Sequence, residues 1–282
     1  MTIVRSLLTV VVFSIAFRDA RADVNEGMIT DQLKNLRSQP ADKRPAATQK
    51  LAEEIRTLPG GMPKVKLADG LMHLSTEGDA GQEVLQAVAD TLAKSLAESP
   101  VPAKGDQPPM PYLDLAKLVR YEGLKITLDD PLYAKAKESL LANEAEISKA
   151  DFTLKDLKGK KWTLSELKGK IVMVNFWATW CAPCRAEMGD LDALYKYFEP
   201  QGLVVLSITD EEPFKVGSFI SPAGYHPPVL LDPGGKVHKA FHVDGIPKTF
   251  VFNRDGKLIA LTIDQRTRRQ FLMMLSKTDL HP

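Results

Sequence analysis

The stretch IVMVNFWATWCAPCRAE, residues 171–187, holds both cysteines of a 282-residue chain, Cys181 and Cys184. Two thiols separated by two residues can staple a fold, clip a metal, tether a haem or exchange disulfides. As a staple the pair is poor, because a cross-link stabilises according to the loop it closes and this one closes almost none. Haem attachment of the C-x-x-C-H kind needs a histidine where Arg185 stands. Structural zinc generally takes four ligands, whereas only two thiols are present and His226, His238 and His242 lie far along the chain in no ligand spacing. A peroxidatic Pro-x-x-x-Thr-x-x-Cys pattern fails as well, since Val174 and Ala178 occupy its proline and threonine positions. No metal and no cofactor is expected, which leaves disulfide exchange.

The setting of the pair supports that chemistry. IVMVNFWA has the continuous apolar pattern of a buried strand, and Cys184 to Phe198 can form a helix. Cys181 then falls at or just before a helix N-terminus, where unpaired N–H groups and the positive end of the dipole favour an anion. A thiol there ionises below its free value of about 8.5. Pro183 has a fixed φ and no N–H to satisfy, which suits a first helical turn. Cys184 sits one turn in and less exposed, so Cys181 is the expected attacking thiolate and Cys184 the resolving thiol.

Elements that could carry this site follow Asp151. Residues 151–170 suggest two short strands about a Lys-Gly turn and a short helical segment. GLVVLSIT is a second buried strand, with a helix near Phe214–Ile220 after it. TFVFN and KLIALTI flank RDG as a hairpin, and Thr267 to Lys277 supports a final helix. The order β-α-β-α-β-β-α indicates a mixed central sheet flanked by helices.

Residues 23–150 read instead as an all-α domain of unknown function. Ala47, Leu51, Ile55 and Leu58 mark one helical face, and LPGGMP breaks that helix before a second one carrying Leu67, Leu71 and Leu74. Asp79 with Gln82 resembles a capping box for a third helix, bearing Leu85, Val88, Leu92 and Leu96. The proline-rich stretch Ser99–Pro111 must be irregular, a short helix spans about Tyr112 to Tyr121, and Asp130-Pro131 opens a helix to about Lys149. His73 is the lone histidine here and is expected to be a surface or core residue.

Residues 1–22 have the form of a signal peptide: Arg5, an apolar run from Leu7 to Phe17, then Ala20-Arg21-Ala22 before a cleavage site expected after Ala22. The run would rise only about 16 Å as a helix, against roughly 30 Å of bilayer core, so a cleaved leader is favoured over an N-terminal membrane anchor. The mature chain is expected to be periplasmic or secreted, in an oxidising compartment. With 37 basic and 36 acidic residues, nothing in the charge balance favours nucleic acid.

WATWCAPCRAEM, followed some 60 residues later by GIPKTFVFNRDG, resembles the thioredoxin superfamily, in particular its exported TlpA/ResA-like branch of AhpC/TSA-related redoxins. The resemblance covers about residues 151–282 and implies a thioredoxin-like α/β fold there, following the helical domain. It implies a redox-active Cys181–Cys184 disulfide, a cis Ile246–Pro247 bond facing it, and a partner surface including Trp180, Pro183, Ile246 and Pro247. Glu187 matches the branch's active-site glutamate and, sharing a helix face with Cys184, could exchange a proton with it; the alternative is an exposed helix glutamate with no part in catalysis. Three positions depart from the pattern. Asn175 replaces the buried acid of cytosolic thioredoxins, Gly189 replaces a proline that kinks the helix, and Lys248 after the cis-proline position is expected to be an exposed spectator.

The function implied is that of an exported thiol-disulfide oxidoreductase, acting on disulfide-bearing exported proteins and re-reduced by a membrane thiol relay. Ala182-Pro183 and Ile246 resemble reducing members, whereas the compartment favours oxidants. The rival readings are a helical partner-binding scaffold with an accessory redox domain, or a thiol peroxidase.

Overall fold

A computed structural model describes residues 25–281; the leader and its cleavage point lie outside the described residues. Six helices come first: α1 (Glu26–Leu36), α2 (Arg44–Thr57), α3 (Met62–Ser75), α4 (Gln82–Glu98), α5 (Met110–Glu122) and α6 (Pro131–Ile147). Proline stands in the first turn of α2, α3, α5 and α6, where a missing N–H costs nothing. Asp130 caps α6 by accepting the N–H of Leu132 at 2.7 Å and of Tyr133 at 3.3 Å. At the end of α2 the buried ammonium of Lys64 donates to the carbonyls of Arg56 and Leu58 and to Glu98, at 2.8–3.0 Å. The apolar helix faces meet in one core that includes Leu51, Ile55, Leu71, Val88, Leu92 and Leu115. The Asp79–Gln82 capping box does not form. Gly81, at φ 84°, is the N-cap of α4 and supplies no side-chain bond, while Asp79 pairs with Arg269.

The remaining chain builds a seven-stranded sheet: β1 (Thr153–Asp156), β2 (Lys161–Thr163), β3 (Ile171–Phe176), β4 (Leu203–Thr209), β5 (Val229–Leu231), β6 (Lys248–Phe252) and β7 (Leu258–Leu261), in the order β2-β1-β5-β4-β3-β6-β7. Strands β3, β4 and β5 run parallel, and β6 returns antiparallel to β3 as one arm of the hairpin with β7. Around them lie α7 (Ala182–Phe198), α8 (Pro213–Ala223), α9 (Lys236–Ala240) and α10 (Arg268–Leu275). This is a thioredoxin-like fold, a mixed sheet flanked by helices. β5 and α9 are additions to the sequence reading; at three and five residues they are too short to show a period.

Central strand β3 is buried at all six residues, as a strand covered on both faces must be. Its alternate residues feed two clusters. Val172, Val174 and Phe176 pack with Phe241, Phe250 and Phe252; Ile171 and Met173 pack with Leu191, Leu194 and Phe271. The helical and sheet cores interlock: Ile147 of α6 enters the sheet cluster, and Ile263, just after β7, packs against the helical core. Among the described residues no helix is long and apolar enough to cross a membrane.

Candidate active site

Strand β3 ends at Phe176, and the chain passes through Trp177–Trp180 to Cys181, the N-cap of α7. Cys181 has extended φ/ψ of −79° and 104°, and its Sγ accepts the N–H of Cys184 at 3.2 Å. The helix terminus thus aims a donor at the sulfur, the arrangement that stabilises a thiolate. Cys181 and Cys184 are joined as a disulfide, with S–S 2.00 Å. Pro183 lies in the first turn of α7. Both cysteines are buried, Cys184 fully and Cys181 at 4% exposure, whereas the neighbouring Trp180 is 67% exposed. α7 runs without interruption through Gly189.

Two other segments frame the pair. The Thr179 N–H and hydroxyl donate to the carboxylate of Glu211, at 2.5 and 2.9 Å, and Arg185 donates to the Thr179 carbonyl at 3.0 Å, fixing the approach to Cys181. Opposite, the Ile246–Pro247 bond is cis, and the Ile246 carbonyl oxygen lies 3.8 Å from Cys181 Sγ. The structure therefore gathers Cys181, Cys184, Pro183, Ile246 and Pro247, with Trp180 projecting beside them.

Glu187 is not an exposed helix residue. It is 1% exposed; Asn175 Nδ2 donates to Oε1 at 2.9 Å and the Arg266 N–H donates to Oε2 at 3.1 Å. Asn175 Nδ2 also donates to the Thr249 hydroxyl at 3.0 Å, tying α7, β3 and β6 together. Burial pushes the Glu187 carboxyl up to about 8, outweighing the two hydrogen bonds and the nearby Arg266 charge, which favour the carboxylate.

Lys248 also departs from expectation. Its position opposite Phe176 on the central strand leaves it 6% exposed, not a spectator on the surface. Burial lowers its ammonium to about 8, partly opposed by Asp244 at 3.8 Å. Asp244, two residues before Ile246, also accepts from Lys117 of α5 at 2.5 Å. Arg266 is another link to the helices, its buried guanidinium pairing with Glu122 at the end of α5. Arg266, Thr249, Lys117 and Glu122 are invisible to motif reading, because spacing along a chain does not encode such pairs.

Among the described residues, the ligand atoms of Asp69, His73 and Asp114 lie within 4.8 Å of one another. His73 is exposed, as expected of a surface residue. Its Nε2 lies 3.4 Å from Asp114 Oδ2, and that partner raises its proton affinity, so an ion pair accounts for the group. His226, His238 and His242 pair singly with Asp192, Asp232 and Glu146. A cleft of about 470 Å³ lies between α5 and the β7–α10 region, lined by Glu122, Arg266 and Gln270 among others, and not over the disulfide.

The AhpC/TSA family profile matches residues 148–261. Thiol-disulfide oxidoreductase ResA of Bacillus thuringiensis (strain Al Hakam) is 34% identical over 152 residues, which span 54% of this chain and 86% of that protein. ResA of Bacillus subtilis (strain 168) is 37% identical over 118 residues, 42% of this chain and 66% of its own. Among solved structures, a thiol:disulfide interchange protein of the thioredoxin family from Chlorobium tepidum TLS is 28% identical, covering 45% of this chain and 92% of that one at a TM-score of 0.42.

Proposed function

The chain belongs to the ResA-type thiol-disulfide oxidoreductases, and on that footing we propose that it is an exported reductant of protein disulfides. The observation that carries the reading is Cys181 at the N-cap of α7, its sulfur accepting the Cys184 N–H and lying beside the Ile246 carbonyl. In the reduced enzyme the Cys181 thiolate attacks a partner disulfide. A bond forms between Cys181 and one partner sulfur, the partner S–S bond breaks, and the departing partner thiolate takes a proton. Cys184 then gives its proton to the Glu187 carboxylate and attacks Cys181 Sγ. The Cys181–Cys184 disulfide forms as the bond between Cys181 and the partner breaks, and the second partner sulfur leaves as a thiolate that takes a proton from water; the partner has gained two electrons and the enzyme has lost two.

Glu187 suits this task because a proton affinity near 8 is close to that of a thiol, about 8.5, so transfer between them is nearly balanced. Trp180 and the backbone at Ile246–Pro247 present the surface against which a partner chain is held. The chain contains no third cysteine, so re-reduction requires an external dithiol, which we assign to a membrane thiol relay. Export rests on the leader-like residues 1–22.

Replacing the resolving thiol tests the scheme. Cys184→Ser should accumulate mixed disulfides with exported proteins through Cys181, and Cys181→Ser should accumulate none. Absence of adducts in the first variant would sink the exchange mechanism. A reduction potential near −270 mV supports a reductant, and one near −120 mV would make the enzyme an oxidant instead.

A further inference from the structure

We propose that Glu122, at the end of α5 in the helical half, is a positioning residue of the redox site that acts through Arg266 on Glu187. This rests on the reading of Glu187 as the proton partner of Cys184 and gives residues of the helical half a part in the reaction.

Arg266 has two attachments on opposite sides. Its backbone N–H donates to Glu187 Oε2 at 3.1 Å, and its guanidinium pairs with Glu122. Both side chains of that ion pair are largely withdrawn from water, at 5% and 13% exposure. A guanidinium is never discharged, so without its acid it would be a buried unpaired charge, and the segment carrying it would move to reach water. That segment follows β7 and is bonded to β6 only at its start, through Thr262 and Thr249. Beyond it the Arg268 N–H donates to Asp190 of α7 at 3.0 Å, and the helical half supplies further anchors: Ile263 packs on the helical core, Arg269 donates to Asp79 at 2.7 Å, and Gln270 donates to the Gly78 carbonyl at 3.1 Å. Glu122 is the anchor attached to the residue that touches Glu187. Its helix ends there at Gly123, whose φ of 67° closes α5 and fixes where the acid stands.

The groups around the acid are few. Glu187 faces Asn175 from β3, Arg266 and Asp264 from the segment after β7, and Tyr225 from the turn after α8. Arg266 and Asp264 in turn act on Lys248 of β6. Losing the Arg266 N–H removes a donor that favours the carboxylate, so the proton affinity of Glu187 should rise.

The experiment follows reduction of the oxidised full chain by dithiothreitol across pH 5–10 in single and double variants. Glu122→Ala should move the Glu187-dependent limb upward by about half a unit or more. Glu122→Gln keeps an oxygen for the guanidinium but not the counter-charge and should give a smaller upward shift. In a Glu187→Gln background, Glu122→Ala should produce no further change, since the route runs through that acid. An unmoved limb in Glu122→Ala, an equal rise in Glu122→Gln, or a shift persisting without Glu187 would each overturn the assignment. If Glu122→Ala does not fold, Glu122→Asp draws the carboxylate back by one methylene and should give a smaller upward shift; none overturns the proposal. Should Glu187→Gln alone leave the profile unchanged, it is the proton-partner reading that fails.

Discussion

Asn175 Nδ2 reaches Glu187 Oε1 at 2.9 Å inside the sheet–helix interface, so the ionisable group stands on the helix while the strand contributes only an amide. Had both positions been acidic, two carboxylates at that distance could not ionise together. The amide instead orients a single acid one turn beyond Cys184. Glu187→Gln should therefore slow resolution of the mixed disulfide by about 10²-fold or more. Alkylation of reduced Cys181 should stay near wild type, and stopped-flow measurement of the two steps checks the separation.

The same acid gives a pH signature in stability. Its proton affinity is raised from the ordinary glutamate value of 4.5 to about 8 in the fold, so the folded state holds a proton that the unfolded state has released between those values. Its contribution is fully present below about 4.5 and is lost as pH rises through 8, with an order of magnitude of about 5 kcal/mol. Denaturant titration of the oxidised protein should show this loss, and Glu187→Gln should flatten it.

Lys248 should behave oppositely. Burial lowers it from 10.5 to about 8, so the folded state gives up a proton before the unfolded state does. Its contribution is present above about 10.5 and is lost as pH falls through 8. Lys248→Met, similar in length and without charge, should remove that slope and equal or exceed wild-type stability at pH 7. A variant that melts well below wild type at pH 7 would contradict this account.

Trp180, 67% exposed beside a buried disulfide, should matter to partners and not to the fold. Trp180→Ala should leave stability within about 0.5 kcal/mol. It should raise KM for a protein disulfide by about tenfold while leaving reduction by a small dithiol unchanged. Equal losses with both substrates would remove Trp180 from the partner surface.

Much of this is legible in the residues. A cysteine before Ala-Pro-Cys at a strand end determines an N-cap, and apolar spacing locates the helices because one face has to be buried. What escapes has no local signal. Lys248 looks like a surface lysine because its burial follows from β6 lying beside β3, a pairing set by topology. Arg266, in the polar run DQRTRRQ, looks solvated because its partner is on another element. The apparent Asp79–Gln82 cap fails because Gly81 supplies the N-terminal turn and Arg269 claims the aspartate.

The contacts that join the two halves span long stretches of chain: 127 residues between Lys117 and Asp244, 144 between Glu122 and Arg266, and 190 between Asp79 and Arg269. Contacts so distant in sequence close late in folding, because the intervening loop must first be ordered. The helical core draws almost wholly on residues 29–140, a stretch synthesised before the sheet and its cysteines. The cysteines therefore emerge well before the segment that completes their acid. On the proposed proton route, a chain cut short before Arg266 would carry both thiols without the N–H that holds Glu187.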